Sequence, residues 1–261
     1  DRYRDLAEYA AIKQKIYAGD GSMIINREDQ RVACMLEDKR NSISYGLSEP
    51  NENEFGIRVF KEEKWLCRGQ ALLLPASSLK IKGAHNVSNA LATLALGSAI
   101  DLTMQSMLKV LQEFPGLPHR CQWIANIDSV DWYNDSKGTN VGASCAAITG
   151  LSEKQDLILI AGGDGKQADF SPLADAIEKH VRVVVLIGKD AGRIDHVLAK
   201  ESQRYFAISM EAAVNLAAKL AKPEEAVLLS PACASQDMFR DYQERGEIFG
   251  RAVQALQGGE E

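Results

Sequence analysis

The stretch LILIAGGDGKQADF, residues 157–170, decides the fold of the second half of the chain. It begins as an apolar run and ends in three closely spaced glycines and a lysine. A helical pattern near 171–180 and a second apolar run, VRVVVLIG at 181–188, follow it. Apolar strands that alternate with amphipathic helices are typical of a parallel sheet covered by helices on both faces. We therefore predict an α/β domain with a doubly wound, mostly parallel, Rossmann-like sheet.

The same alternation extends on both sides of this stretch. The remaining predicted elements are a hairpin at 121–135, helices near 140–150, 190–200, 210–221 and about 236–256, and strands at 204–209 and 226–230. Together they complete one domain of the predicted class.

The first part of the chain has a different pattern. Residues 5–17 place Leu6, Tyr9, Ile12 and Ile16 at helical spacing and predict an amphipathic helix. Short apolar stretches between 22 and 82, among them RVACML at 31–36, alternate with polar turns and predict strands and hairpins. Two helices are predicted next, in a mixed sheet-and-helix domain.

A Pro/Gly cluster, PGLP at 115–118, follows the second of these helices. Such clusters mark domain boundaries because they end helices and favour exposed linkers. We therefore predict two domains, residues 1–116 and residues 117–261.

Composition limits the classes of function. The chain is 46% hydrophobic and 25% charged, as in soluble globular proteins, and its net charge of −6 argues against a nucleic-acid partner. No apolar run approaches the roughly 18 residues of a membrane span. Five scattered cysteines without a C-x-x-C pair indicate a reducing compartment. We expect a cytoplasmic protein without a nucleic-acid or membrane partner.

Three polar loops follow predicted strands, at 134–140, 162–170 and 230–239. Ligands of open α/β sheets bind outside the carboxyl ends of the strands, so these loops are expected to converge on one crevice. Lys137, Lys166, several hydroxyls and helix N-termini would then surround it, which is chemistry suited to an anion.

The glycines of the quoted stretch are not those of a nucleotide phosphate loop. G-x-x-x-x-G-K-[ST] requires glycine at 160 and a hydroxyl residue at 167, where the chain has Ile160 and Gln167. Two interpretations of Lys166 remain open: a cation that binds a substrate carboxylate, or a solvated lysine on a tight turn.

The other motifs also have structural alternatives. Asp135 is typical of a turn cap and Asn140 of a helix N-cap, while Cys233 fits a small buried apolar position as well as a reactive one. Asn86 and Asn89 share a face near the start of a helix, where amides either cap the helix or recognise a base.

Five motifs taken together resemble the Mur ligases of peptidoglycan synthesis. In chain order they are GAHNVSNALA (83–92), FPGLPHR (114–120), NDSKGTN (134–140), GGDGKQADF (162–170) and LLSPACASQDMF (228–239). The first two are shared across a superfamily that includes folylpolyglutamate synthases. The last three are more specific to the Mur ligases that add D-glutamate, and the resemblance covers essentially all 261 residues.

The resemblance implies an ATP- and Mg²⁺-dependent ligase that joins D-glutamate to UDP-N-acetylmuramoyl-L-alanine through an acyl phosphate, acting as a monomer. Residues 1–116 would be the C-terminal portion of the central ATP-binding domain, and 117–261 the D-glutamate-binding domain. Mur ligases also have a UDP-binding domain and a G-K-[ST] loop, and neither occurs in this sequence. The resemblance therefore implies a C-terminal fragment that is inactive alone.

Residue roles follow from the resemblance only. It places Asn86 and Asn89 at the adenine, Arg120 and Asp135 at the phosphate or ribose side of the nucleotide, and His119 beside them. It places Lys137 at the phosphate or acyl phosphate, and Thr139, Lys166, Ser235 and the backbone of Tyr242 at the D-glutamate carboxylates. Lys13 matches a lysine that is carbamylated in the family and helps position magnesium. Without the resemblance, Lys13 is a solvated lysine on a polar helix face.

Two other classes stay open. One is a different Mur ligase or a folylpolyglutamate synthase-like ligase, against which NDSKGTN and SPACAS argue. The other is a non-catalytic module that binds a nucleotide or an amino acid, against which the Asn86/Asn89 pair and the lysine-lined crevice argue.

Overall fold

The structure, a computed structural model, describes residues 4–37, 39–81, 83–152 and 154–257. The chain divides into two compact units, Asp1–Pro115 and Gly116–Glu261, which we call the first and the second unit. Each unit has its own sheet and hydrophobic core. Within the described ranges, no helix is long and apolar enough to cross a membrane.

The first unit contains a mixed five-stranded sheet in the order β1-β2-β3-β4-β5. Its strands are β1 Met23–Asn26, β2 Ser42–Tyr45, β3 Phe55–Phe60, β4 Glu63–Arg68 and β5 Ala71–Pro75, and its helices are α1 Leu6–Gln14, α2 Gln30–Ala33, α3 Ala84–Ala99 and α4 Met104–Glu113. The core forms where Leu91 and Leu94 of α3 pack against Phe55 and Leu66 of the sheet. Helix α3 therefore buries one apolar face against the sheet.

Two expectations for the first unit need correction. The stretch 31–36 was expected to be a strand, but α2 covers its first half, because the Asp29 carboxylate accepts hydrogen bonds from the amides of Arg31 (2.9 Å) and Val32 (3.2 Å) and caps the helix. The predicted amphipathic helix at 5–17 is α1 followed by a 3₁₀ turn at Lys15–Tyr17, and its apolar positions are exposed where a buried face was expected.

The second unit contains a six-stranded sheet in the order β10-β9-β8-β11-β7-β6. Its strands are β6 Gln122–Ile127, β7 Val130–Asn134, β8 Leu157–Gly162, β9 Val181–Ile187, β10 Gln203–Phe206 and β11 Ala226–Leu229. Its helices are α5 Val141–Leu151, α6 Ser171–His180, α7 Ala191–Val197, α8 Met210–Leu220 and α9 Tyr242–Gln257. Every strand pair is parallel except the β6–β7 hairpin.

Both faces of this sheet are covered. Leu157, Leu159 and Ala161 of β8 lie in one core with residues of α5, α6 and α7. Ile158 and Ile160 lie in the opposite core with residues of α8 and α9. Side chains of a strand alternate between faces, so a continuous apolar strand is what a doubly covered sheet requires. The predicted doubly wound, mostly parallel α/β class is confirmed.

Helix α9 begins later than the sequence pattern suggested. It starts at Tyr242 instead of about 236, since the Asp241 carboxylate accepts a hydrogen bond from the Glu244 amide (2.8 Å) and caps the first turn. The residues before it form a turn in which the Phe239 amide donates to the Ser235 carbonyl (2.8 Å). The segment 230–239 is therefore a loop over its whole length.

Candidate active site

Three loops of the second unit leave neighbouring strands at the same edge of the sheet. The first loop, residues 134–140, follows β7; the second, 162–170, follows β8; and the third, 230–239, follows β11, which lies between β7 and β8. Because these strands are parallel, their carboxyl ends meet at one edge. The predicted convergence of the three loops is confirmed.

Buried hydroxyls join the first loop to the third. The Ser230 hydroxyl donates to Asp135 Oδ2 (2.7 Å) and lies 2.8 Å from Ser144 Oγ, which accepts a hydrogen bond from the Ala232 amide (2.9 Å). Ser230 and Ser144 are fully buried. Since buried polar groups need partners, these hydrogen bonds hold the two loops together where they leave β7 and β11.

Backbone hydrogen bonds join the second loop to the third. Asp164 and Ala234 exchange two of them (3.0 and 2.9 Å), and the Gly162 amide donates to the Pro231 carbonyl (2.9 Å). Gly162 and Gly163 have φ values of +124° and +133°, which L side chains rarely adopt. The glycines of the quoted stretch therefore provide the sharp turn by which the second loop approaches the third.

A cluster of His119, Lys137 and Tyr242 lies beside the first loop. Lys137 Nζ is 4.2 Å from the centre of the Tyr242 ring, which meets the His119 ring edge to face at 5.9 Å. The Lys137 amide donates to the His119 carbonyl (3.1 Å), and the His119 ring lies 3.2 Å from Asn134 Nδ2. Cation–π contact orients the ammonium group without neutralising its charge, so Lys137 remains available to an anion.

Lys166 is exposed on the second loop, at a φ of +45°. Its amide donates to Asp164 Oδ1 (3.0 Å), while the other oxygen of Asp164 lies 3.5 Å from Lys189 Nζ. The Lys189 amide in turn donates to Asp237 of the third loop (2.8 Å). Lys189 is thus a further cation of the loop cluster, and sequence reasoning missed it although it follows β9 at the same sheet edge.

The remaining predicted site residues of this unit differ in their exposure to solvent. Thr139 is half-buried, and its amide donates to the Lys137 carbonyl (2.8 Å). Ser235 is buried at the start of the turn that precedes α9, whereas Arg120 is exposed next to His119. The structure therefore brings Thr139 to the first loop and Ser235 to the third, and their ligand-binding roles stay predictions.

The structure decides between the two interpretations of Asn140 and of Cys233. Asn140 caps α5, because its side chain accepts a hydrogen bond from the Ala143 amide (2.9 Å). Cys233 is fully buried, and burial raises the pKa of its thiol to about 12, so the thiol is protonated at neutral pH. Cys233 is consequently a small apolar core residue.

Asp135 is a buried carboxyl that uses both oxygens within the protein. Besides Ser230, it accepts a hydrogen bond from the Cys121 amide (3.2 Å). Burial raises its pKa from 3.8 to about 6, opposed by the hydrogen bonds of Ser230 and Cys121 and by the positive charge of Arg120. Folding therefore favours the protonated carboxyl, and its ionisation weakens the folded state.

The raised pKa of Asp135 predicts that the stability of the protein depends on pH, and the Asp135→Asn variant tests this dependence. Because folding raises the pKa of Asp135, the protonated carboxyl contributes fully to stability below pH 4. This contribution is lost as the pH rises through about 6. Between pH 4 and pH 7 the wild-type chain should lose up to about 3 kcal/mol relative to the isosteric amide variant. Urea unfolding of both proteins across this range measures the difference, and a pH-independent difference would contradict the assignment.

In the first unit, Asn86 and Asn89 lie on the first turns of α3. Asn89 Nδ2 donates to Asn86 Oδ1 (3.4 Å), on a face away from the buried residues Leu91 and Leu94. Helix α3 has Gly83 at its N-cap, so neither amide caps it by a side-chain hydrogen bond. The arrangement suits recognition of a flat polar edge such as a base, which remains a prediction.

Lys13 is exposed on α1, with Nζ 5.3 Å from the centre of the Tyr9 ring. Among the described residues, there is no group of three or more His, Cys, Asp or Glu side chains that could hold a metal ion. A carbamylated Lys13 would supply oxygen ligands of the kind that Mg²⁺ prefers, but the described side chains do not complete such a site.

Helix α9 contributes residues that sequence reasoning did not single out. Arg245 is fully buried, and its guanidinium donates to carbonyls of the first and third loops. Gly246 lets the helix approach His119 and Asn134, the latter donating to the Gly246 carbonyl (3.1 Å). In the sequence both lie inside a polar helical pattern, which indicates a solvated face and carries no signal for burial.

The fold and this loop cluster define an α/β protein whose second unit gathers Lys137, Lys166 and Lys189 on loops at one edge of its sheet. Two family models match the chain: "Mur ligase middle domain" over residues 1–97 and "Mur ligase, glutamate ligase domain" over residues 119–233. The chain belongs to the Mur ligase family.

Curated relatives agree with these models. The chain is 49% identical over 256 residues to the UDP-N-acetylmuramoylalanine--D-glutamate ligase of Nitrosococcus oceani, covering 98% of this chain and 56% of the relative. It is 45% identical over 258 residues to the ligase of the same name from Pseudomonas aeruginosa, covering 98% and 58%. The chain thus spans somewhat more than half the length of these relatives.

Solved structures share the fold at low identity. UDP-N-acetylmuramate-alanine ligase MurC of Thermotoga maritima matches with a TM-score of 0.67 and 18% identity, over 97% of this chain and 56% of that one. The folylpolyglutamate synthase of Mycobacterium tuberculosis, solved with ADP, matches with a TM-score of 0.65 and 15% identity, over 100% and 61%.

Proposed function

We propose that this protein takes part in the ATP-dependent joining of D-glutamate to UDP-N-acetylmuramoyl-L-alanine. The observation that carries the proposal is the convergence of the Lys137, Lys166 and Ser235 loops at one sheet edge. The names of relatives that are 45–49% identical over nearly the whole chain support this substrate pair.

The second unit suits an amino acid with two carboxylates. Lys166 and Lys189 lie on loops after adjacent strands, and Thr139 and Ser235 lie on the two loops beyond. We assign Thr139, Lys166, Ser235 and the Tyr242 backbone to the carboxylates of D-glutamate. Charged and hydroxyl donors on loops anchored by separate strands can bind both carboxylates of such a ligand, which places its amine for attack.

Lys137 is the residue we place nearest the chemistry. In the proposed reaction the L-alanyl carboxylate attacks the γ-phosphate of ATP and displaces ADP. The D-glutamate amine then attacks the acyl carbon of the resulting acyl phosphate, loses a proton and displaces phosphate. Negative charge develops on the transferred group in both steps, and a cation held in place stabilises it. The Tyr242 ring holds the Lys137 ammonium, and the His119 carbonyl holds its backbone.

We propose the first unit as the nucleotide side. Residues 1–116 would be the C-terminal portion of an ATP-binding domain, with the Asn86 and Asn89 amides at the adenine, while residues 117–261 bind the amino acid. Arg120 and Asp135 would serve the phosphate or ribose side, Arg120 directly and Asp135 through its buried hydrogen bonds. Lys13 is the residue proposed to bind Mg²⁺, and no group of three or more acidic, His or Cys side chains among the described residues completes a metal site with it.

The proposal predicts that Lys166→Ala weakens D-glutamate binding by about tenfold, because a charge-assisted hydrogen bond to a carboxylate is lost. Lys219→Ala is the matched control: Lys219 is an exposed lysine in the last turn of α8, near the opposite edge of the sheet. Isothermal titration of D-glutamate in the presence of ADP measures both affinities, and we expect Lys219→Ala to bind as the parent chain does.

L-glutamate in the same titration separates this assignment from that of a folylpolyglutamate synthase-like ligase. Binding of D-glutamate but not L-glutamate by the parent chain supports the proposal. Absence of any D-glutamate signal, or equal affinities of the Lys166→Ala and Lys219→Ala variants, would remove its basis.

A further inference from the structure

Arg245 carries a buried charge that the proposed reaction does not use. It lies in the first turns of α9 with none of its surface exposed. Its Nη2 donates to the carbonyl of Ser136 (2.9 Å) and to that of Cys233 (3.1 Å). Within the described ranges, Nε and Nη1 have no hydrogen-bond partner. This is an uncommon environment for an arginine.

A buried arginine with unpaired N–H groups stabilises a core less well than an apolar side chain does. A buried cation loses its hydration, and an apolar side chain of similar length often stabilises the same space better. Burial lowers the pKa of Arg245 to about 10, which still leaves the guanidinium charged at neutral pH. Packing alone therefore does not account for an arginine here.

Arg245 forms hydrogen bonds to two of the three loops and lies beside the other one. Ser136 directly precedes Lys137 in the first loop, and Cys233 lies two residues before Ser235 in the third. The second loop passes alongside, since a Cβ added at Gly163 would lie 3.4 Å from Nη1. One planar group thus contacts the segments that carry the proposed anion-binding residues.

Two other residues of α9 on the same face also contact the first loop or residues next to it. Tyr242, one turn before Arg245, contacts Lys137, and Gly246, the next residue, packs against His119 and Asn134. Positions i, i+3 and i+4 of a helix share one face. The face of α9 that bears Arg245 is therefore the surface on which the first loop rests.

We propose that Arg245 is a positioning residue for the D-glutamate site: its guanidinium sets the distance between the Lys137 loop and the Ser235 loop. This inference rests on the proposed function. Both hydrogen bonds come from Nη2, whose two N–H groups are fixed in the guanidinium plane. A lysine at this position would keep the charge, but its N–H groups rotate about the Cε–Nζ bond and do not hold two carbonyls in one plane. The planar geometry of Nη2, more than the charge, is what the site requires.

The experiment compares Arg245→Lys and Arg245→Met with Arg182→Met in the 261-residue chain. Arg182 is the matched control, because it pairs with Glu225 (2.5 Å) and donates to the Leu220 carbonyl (2.7 Å) near the opposite edge of the same sheet. Titration calorimetry gives the D-glutamate affinity of each folded variant, and urea unfolding gives its stability.

We expect Arg245→Lys and Arg245→Met to bind D-glutamate about tenfold more weakly, and Arg182→Met to bind within about twofold of the parent despite its own loss of stability. Parent affinity in a folded Arg245→Lys protein would overturn the proposal, and so would an equal loss of affinity in Arg182→Met. The lysine variant decides the matter if Arg245→Met does not fold.

A ligand-free measurement separates this inference from the proposed function. If Arg245 sets the loop spacing, the amides of Gly138 and Ala234 should exchange hydrogen faster in Arg245→Lys than in the parent, with exchange in β9 unchanged. Unchanged exchange in both loops would overturn the positioning role. Faster exchange in a chain that binds no D-glutamate would retain the positioning role and refute the assignment of the ligand.

Discussion

Replacement of Gly162 by alanine is expected to lower the free energy of unfolding of the second unit by about 3 kcal/mol or more. Gly162 is the last residue of β8 and has a φ of +124°, a value strained for any L side chain. A Cβ there would lie 1.9 Å from the Ile187 carbonyl oxygen of β9. Relief of this clash requires separation of two paired central strands, because Gly162 pairs with Ile187 in the sheet.

Gly192→Ala is the matched control for this prediction. Gly192 lies in α7, and an added Cβ would meet no atom within 4 Å. Alanine favours a helix over glycine, so this variant should be as stable as the parent or more stable by up to about 1 kcal/mol. Hydrogen exchange of the buried β9 amides reports the second unit alone, and parent-like exchange in Gly162→Ala would refute the prediction.

Gly246→Ala is expected to weaken D-glutamate binding by about tenfold or more while costing roughly 1–3 kcal/mol of stability. Its added Cβ would lie 2.3 Å from His119 Nδ1, 2.4 Å from Ser136 Oγ and 2.8 Å from Asn134 Nδ2. Ser136 and Asn134 are buried and cannot swing away, so the overlap displaces the first loop itself. The loss of affinity follows because Lys137 and Thr139 move with that loop.

Gly250→Ala, one turn further along α9, isolates this effect from helix propensity. An added Cβ at Gly250 would meet no atom within 4 Å, so this variant gains helix propensity without an overlap. Calorimetry with D-glutamate and urea unfolding on both variants give the comparison. Equal affinities for the two variants would show that the contact between α9 and the first loop does not position the site.

The parts of the site that the sequence predicts are those fixed by backbone topology. Apolar β8 followed by a helix and another apolar strand favours a parallel arrangement, and parallel strands place their following loops at one edge. The three loops could therefore be located before the structure was known. The same rule also predicts that Lys189 lies at this edge, because Lys189 is on the loop after β9.

The parts that the sequence does not predict depend on side-chain contacts between distant segments. Helix α2 replaces an expected strand because one carboxylate, that of Asp29, caps it, and this local hydrogen bond outweighs an ambiguous apolar pattern. Arg245 and Gly246 lie more than a hundred residues from the first loop that they contact. No periodicity relates residues so far apart, so their burial is visible only in three dimensions.

The order of strands in the second unit also determines when the crevice can form during folding. Strand β11 is the last strand in the sequence, yet it lies between β7 and β8. Until residues 226–229 are in place, the sheet consists of two separate parts, β6–β7 and β8–β10, each with an unpaired edge. Contacts of such long sequence separation form slowly, and unpaired edges invite association with other chains. A nascent chain that ends before β11 therefore has neither a continuous sheet nor the three loops side by side, and assembly of the loop cluster coincides with completion of the domain.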